Sequence, residues 1–130
     1  MPPAASEKRN LVLVVEDDPN ARKLLTHMLS AAGHKIVETD DGDEAIRLLD
    51  AQRFDLVITD LGLPNITGSG IIMHAHAKWP QLPVILITGY LGKTAAQQLL
   101  NEYVEYIPKP LDRDRLLATV DRFVSKQIRE

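Results

Sequence analysis

LVLVVEDDPNARKLLTHMLSAAG, residues 11–33, is the stretch that decides the fold. Leu11 to Val15 is an unbroken run of leucine and valine, long enough for a strand buried on both faces. Asp18 and Pro19 then open a helix. The carboxylate can accept from the first free N–H groups, and proline at the first helical position forfeits no hydrogen bond. Ala21, Leu24, Leu25, Met28, Leu29 and Ala32 recur at helical spacing, so one face of that helix is apolar. Gly33 suits the left-handed position that closes it.

The same alternation continues to the end of the chain. Residues 34–39 read as a second strand, residues 40–42 as a turn, and residues 43–52 as a helix with Ala45, Leu48 and Leu49 on one face. A third strand, residues 54–59, runs up to Asp60, and a loop rich in Gly, Pro and Asn follows. Residues 69–79 predict a helix with Ile72, Ala75 and Trp79 on one side. Residues 83–88 (PVILIT) predict a fourth strand, 93–102 a short fourth helix, 104–107 a fifth strand and 111–128 a last helix. Parallel strands need crossover connections, and helices in these positions supply them. The expectation is an α/β fold with a parallel sheet covered on both faces.

The bulk numbers bound the function. A chain of 130 residues suits one domain, expected to be residues 10–130 behind a short flexible leader, 1–9. An apolar fraction of 45% is enough for a core. The formal net charge of -3 argues against nucleic-acid binding by electrostatics. Having no cysteine excludes disulfides and thiolate metal sites. No apolar run approaches the roughly 20 residues of a membrane span, and the first residues lack the apolar centre of a signal peptide. The cytoplasm is the expected compartment.

Ligands of open parallel sheets sit beyond the carboxyl ends of the strands. Glu16, Asp17 and Asp18 follow the first strand, Asp60 the third, Thr88 the fourth, and Lys109 lies two residues past the fifth. Taken singly, an acidic triplet before a helix is ordinary capping and solvated charge, and an Asp after a strand is an ordinary turn residue. Their common rim changes the weighing. If the first and third strands are neighbours, Glu16, Asp17 and Asp60 converge, and such a cluster needs cationic compensation. A hard dication with oxygen ligands, helped by Lys109, is the natural partner.

The segments VVEDDPNAR (14–22), VITDLGLPNITG (57–68), VILITG (84–89) and YIPKPL (106–111) together resemble the receiver domain of bacterial response regulators, in order and spacing, over nearly the whole chain. The resemblance implies a flavodoxin-like (βα)5 doubly wound fold with strand order 2-1-3-4-5. It implies that Asp60 accepts a phosphoryl group from a histidine kinase or histidine phosphotransfer protein, in a reaction dependent on Mg2+ or Mn2+. Asp17 and the backbone carbonyl of Gly62 would join Asp60 as metal ligands, and Glu16 would act through a metal-bound water. Thr88 would contact the phosphoryl group and Lys109 would pair with it. Tyr106 would be the aromatic switch, rotating inward as Thr88 is drawn toward the site. Lys109–Pro110 would be the cis peptide bond common in the family. The output surface would be the face of the fourth helix, fifth strand and fifth helix, which in this family also serves homodimers. Gly62 and Tyr90 would fall where phosphoryl lifetime is tuned.

Three other readings compete. KWPQLPVILITGY (78–90) resembles receivers attached to hybrid histidine kinases, so the chain reads either as a stand-alone receiver or as such a domain taken from a longer protein. A dehalogenase-type phosphatase also uses an Asp nucleophile after a strand, but carries an acidic partner two residues on, where Gly62 stands here. A non-phosphorylated binding module on the same fold would be expected to have lost members of the set that is complete here. Residues 89–94 resemble the end of a phosphate-binding loop, but its first glycine would fall at Ile87. Asn65-Ile66-Thr67 is a formal glycosylation triplet without a secretory signal. His27, His34, His74 and His76 lack the spacing of a metal cluster. The charges of the last helix alternate in sign, as on a solvated or docking face.

Overall fold

The computed structural model describes residues 10–63, 65–89 and 99–128, with backbone alone for 126–128. Five strands, β1 (Leu11–Val15), β2 (Lys35–Thr39), β3 (Leu56–Asp60), β4 (Val84–Thr88) and β5 (Val104–Pro108), form one parallel sheet in the order β2-β1-β3-β4-β5. Helices α1 (Pro19–Ala31), α2 (Gly42–Ala51), α3 (Gly68–Lys78) and α4 (Arg113–Ile128) are described around it. The order reverses at β1 and β3, and the carboxyl ends of these two neighbours carry the acidic residues.

Alternation along each strand divides the core in two. Leu13, Val15, Val57, Val84, Leu86 and Val104 face α2 and α3, where Leu49, Ile71, Ile72 and Ala75 meet them. Val12, Val14, Ile58, Ile85, Ile87 and Ile107 face α1 and α4, against Leu25, Leu29, Leu116, Val120 and Phe123. Both faces are covered, which is why these strands read as continuous apolar runs.

Helix ends follow the local chemistry. Asp18 caps α1, accepting from Asn20 N–H at 3.3 Å, with Pro19 opening the helix. Gly33, at φ +96°, takes the left-handed position just past the α1 C-cap, Ala32. Asp41 caps α2 and Thr67 caps α3. The expected turn at residues 40–42 is therefore shorter, because Asp41 ends it as the cap and Gly42 already belongs to the helix. At the far end of α3, the Trp79 ring has the Arg53 guanidinium 5.2 Å and the Lys78 ammonium 5.5 Å from its centroid.

The expected fourth helix, 93–102, falls mostly outside the described residues. Its last part is not helical. Asn101 pairs with Val104 in an antiparallel bridge, and its Oδ1 accepts the N–H of Tyr103 at 2.7 Å. An Asn side chain that satisfies the backbone two residues on turns the chain locally, ending any helix there.

Candidate functional site

The carboxyl rim of the sheet brings the sequence-selected residues together. Ligand oxygens of Glu16, Asp17 and Asp60 all lie within 4.8 Å of one another. The Lys109 ammonium reaches across the same cleft, 2.6 Å from Asp60 Oδ2 and 3.3 Å from Glu16 Oε1. Glu16 is 1% exposed and Asp60 9%, while Asp17 is open to solvent.

Each group is held by its element. Asp60 ends β3, and its Oδ1 accepts the N–H of Gly62 at 3.2 Å. Glu16 follows β1, and its Oε2 accepts the N–H of Asp18 at 3.0 Å, so both carboxylate oxygens are engaged. The Lys109 N–H donates to the Thr88 carbonyl at 3.0 Å, prolonging the β4–β5 ladder by one step. The Lys109–Pro110 bond is cis, as the resemblance implies.

The electrostatics are those of a crowded acidic site. Burial pushes the Glu16 carboxyl above its ordinary value, and the Asp60 charge adds to this. The Asp18 N–H and Lys109 oppose it without cancelling it. Burial alone would lower the Lys109 ammonium. Its hydrogen bond to Asp60, and the charges of Asp60 and Glu16, outweigh that and hold it above the ordinary lysine value. Three carboxylates thus face one ammonium. The donor set is all oxygen, and its span is close to the roughly 4.2 Å across a shell of Mg2+-type ligands. These residues fit a hard divalent cation.

Thr88 is buried at the end of β4, and Tyr106 is half-buried in β5. Leu86 pairs with Tyr106 and Thr88 with Pro108, so Tyr106 lies one alternation back from Thr88 on the same face of the sheet. Tyr106 packs against the α2–α3 side of the core. Tyr90, which the resemblance pairs with Gly62, lies outside the described residues.

The sequence reading passed over four residues that brace the rim. Arg22 donates to the Glu16 carbonyl at 2.9 Å and to Glu38 Oε1 at 3.1 Å. Asp41 Oδ1 accepts from the Asn65 amide at 2.7 Å. Thr39 offers its carbonyl to the Glu16 N–H at 3.1 Å and its hydroxyl oxygen to the Asp41 N–H at 3.2 Å. For Asn65 a signal existed: Asn in a Gly- and Pro-rich loop suits a left-handed backbone, and its φ is +70°. The Arg22–Glu38 and Thr39–Glu16 contacts join residues far apart in the chain and left no local pattern, whereas Thr39–Asp41 and Arg22–Glu16 are close in sequence. The four histidines do not gather. His74 pairs with Asp50 at 2.9 Å, and His76 bonds to the Leu82 carbonyl at 2.8 Å.

Comparison with known proteins agrees with this geometry. Residues 12–121 match the response regulator receiver domain. The chain is 32% identical over 118 residues to the response regulator protein FleR of Pseudomonas aeruginosa, covering 90% of this chain and 25% of that protein. It is 30% identical over 119 residues to the DNA-binding transcriptional regulator NtrC of Salmonella typhimurium, covering 91% of this chain and 25% of that protein. The chain thus spans about a quarter of the length of these regulators. A solved receiver domain of a signal transduction histidine kinase from Syntrophus aciditrophicus superposes with a TM-score of 0.81 at 28% identity, covering 90% of this chain and 91% of that one. The receiver domain of the sensor histidine kinase PA1611 from Pseudomonas aeruginosa, solved with a magnesium ion in its active-site cleft, shares the fold with a TM-score of 0.81 at 24% identity, covering 90% and 98%. With the family match extending over most of its length, this chain belongs to the response regulator receiver domains of two-component signalling.

Proposed function

We propose that Asp60 is the phosphoryl acceptor of this receiver, and that a divalent cation, Mg2+ or Mn2+, is held beside it by Asp17, Asp60 and the Gly62 carbonyl, with Glu16 acting through a bound water. The observation that carries the reading is the meeting of Glu16, Asp17, Asp60 and Lys109, from three separate strand ends, around one cleft. When bound, the cation would supply positive charge against the oxygens of the incoming phosphoryl group.

The chain's own residues do the rest. An Asp60 carboxylate oxygen attacks phosphorus in line with the leaving imidazole nitrogen of a phosphohistidine. The O–P bond forms as the P–N bond breaks, and the imidazole leaves with the electron pair. Such transfers need positioning and charge stabilisation more than covalent chemistry. Lys109, already within reach of Asp60, neutralises phosphoryl oxygen, and the Thr88 hydroxyl donates to it. The acyl phosphate carries roughly two negative charges where the carboxylate carried one, and it adds three acceptor oxygens. Thr88, drawn toward that charge, leaves room on the face it shares with Tyr106. Inward rotation of Tyr106 then alters the surface formed by β5, the segment before it and α4, where a downstream protein or a second copy would dock.

The phosphodonor is a histidine kinase or a histidine phosphotransfer protein, and the setting is the cytoplasm. No described helix is long and apolar enough to cross a membrane. The regulator context of NtrC and FleR and the hybrid-kinase context share this chemistry. The second has support from 30% identity to the CAI-1 autoinducer sensor kinase/phosphatase CqsS of Vibrio cholerae, over 95% of this chain and 19% of that protein. Incubation with Mg2+ and acetyl phosphate, read by intact mass, tests the proposal. One added phosphoryl group that disappears in Asp60→Asn is expected; no gain with acetyl phosphate or with kinases would count against it.

A further inference from the structure

The loop between β3 and α3 carries Gly62, and it is anchored at both ends beside Asp60. The Gly62 N–H bonds to Asp60, and the Gly68 N–H donates to the Leu61 carbonyl at 2.9 Å. A methyl group at Gly68 would come within 2.4 Å of the Asp60 carbonyl oxygen, so the chain passes there only as glycine. The middle of the loop is tied elsewhere. Asn65, in its left-handed conformation, reaches 24 residues back to Asp41. Next to it the Ile66 backbone lies against Gly42, where a methyl group would come within 2.6 Å of the Ile66 carbonyl oxygen.

The turn that receives Asn65 is also tied to the other half of the acidic site. Thr39 accepts the Glu16 N–H with its carbonyl and the Asp41 N–H with its hydroxyl oxygen. The loop after β1 and the loop after β3 are therefore referenced to one structure, the β2–α2 turn. Asp41 divides its oxygens between two tasks. Oδ2 caps α2 through the Glu44 N–H at 3.3 Å, and Oδ1 holds Asn65.

We infer that the Asp41–Asn65 pair is a positioning clamp that sets the placement of the Gly62 loop relative to Glu16 and Asp17, and with it the affinity of the site for a divalent cation. This rests on the reading of the rim as a metal-dependent phosphoryl acceptor. Neither residue touches the cation or the phosphoryl group. The pair acts through the loop, and its hydrogen bond also holds the Asp41 carboxyl below its ordinary value, followed by smaller contributions from the α2 N–H groups and Arg47.

The test is a substitution cycle read by calorimetric titration with Mg2+. Asn65→Asp sets two carboxylates against each other and opens the clamp. The expected loss of Mg2+ affinity is about tenfold, the low end for partners that orient metal ligands. Its sign is informative, because an added negative charge near the site would by itself favour a cation. Asp41→Asn added to Asn65→Asp rebuilds the pair with donor and acceptor exchanged, and Asn remains a good helix cap. The exchanged pair should recover to within about threefold of the parent, a coupling that independent sites do not show. Asn65→Gly, which keeps the left-handed backbone and adds no charge, guards against a folding defect in Asn65→Asp and should also bind Mg2+ more weakly. Parent-like affinity in Asn65→Asp or Asn65→Gly, or a loss that the exchange does not restore, overturns the clamp while the parent's own binding stands. If the parent binds no Mg2+, the metal reading falls and the clamp falls with it.

Discussion

Within five residues, β3 passes from one physical regime to another. Leu56, Val57 and Ile58 are fully buried among apolar neighbours on both faces of the sheet. Asp60, at the end of the same strand, is nearly as buried but stands among two other carboxylates and an ammonium. The body of the strand lowers the free energy of the fold by removing apolar surface from water, at roughly 25 cal/mol per Å2. The rim raises it, through desolvated charges of one sign. Stability and chemistry are therefore assigned to different segments of the same elements, and substitutions should separate them.

The sharpest separation is Asp60→Asn. It should abolish phosphoryl uptake entirely and leave the metal-free melting temperature unchanged or raised, because one of three mutually repelling charges is gone. A marked drop in melting temperature would break the division between rim and body. The converse substitution is Ile58→Ala, two residues earlier. It should cost about 2–5 kcal/mol of stability in chemical denaturation, while the chains that remain folded still take up one phosphoryl group by intact mass.

Adding the cation should relieve the rim without touching the body. At ten times its Kd, Mg2+ should stabilise the protein by about 1.4 kcal/mol, read as a rise in melting temperature. Asp17→Asn, an exposed and easily accommodated change, should remove most of that rise. An undiminished rise in Asp17→Asn would show that the ion binds elsewhere.

The smallest effect belongs to the opposite edge of the sheet. His34, half-buried between the end of α1 and the start of β2, is held below its ordinary value by burial, partly offset by Asp121. Its Nδ1 lies 3.4 Å from the Asn10 amide. The folded state favours neutral imidazole, so the unfolded chain binds the proton more readily. His34 therefore costs nothing above about pH 6.5, and its protonation erodes stability as the pH falls below that value toward the folded one. His34→Gln should flatten this portion of the profile, measured by denaturant titration between about pH 5 and pH 7. An unchanged slope would remove His34 as its source.

Most of the architecture was legible because its signals are local. Leu11 to Val15, the Asp18–Pro19 start and the Gly33 stop are each a run of a few residues with a single physical reading. The rim was legible because strand ends in a parallel sheet must converge, so Glu16, Asp17, Asp60 and Lys109 could be placed by counting strands. Two kinds of feature escaped. Asn101, which turns the chain back before β5, sits in a stretch whose composition reads as helical. The braces of the rim, Arg22, Thr39 and the Asp41–Asn65 pair, depend on which loops touch in space, and periodicity carries no information about that.

Trp79 adds a practical consequence. It is the sole tryptophan of the chain, and α3 runs back across the sheet, so its C-terminal end lies at the amino edge, about 17 Å of strand length from the acidic cleft. Its indole, flanked by two cationic groups, is an optical reporter mounted at the end of the molecule where no chemistry occurs. Its emission should follow global unfolding and ignore occupancy of the distant cleft. A spectral response to ion or phosphoryl group would then be a direct measure of how far a disturbance at one end of the sheet travels to the other.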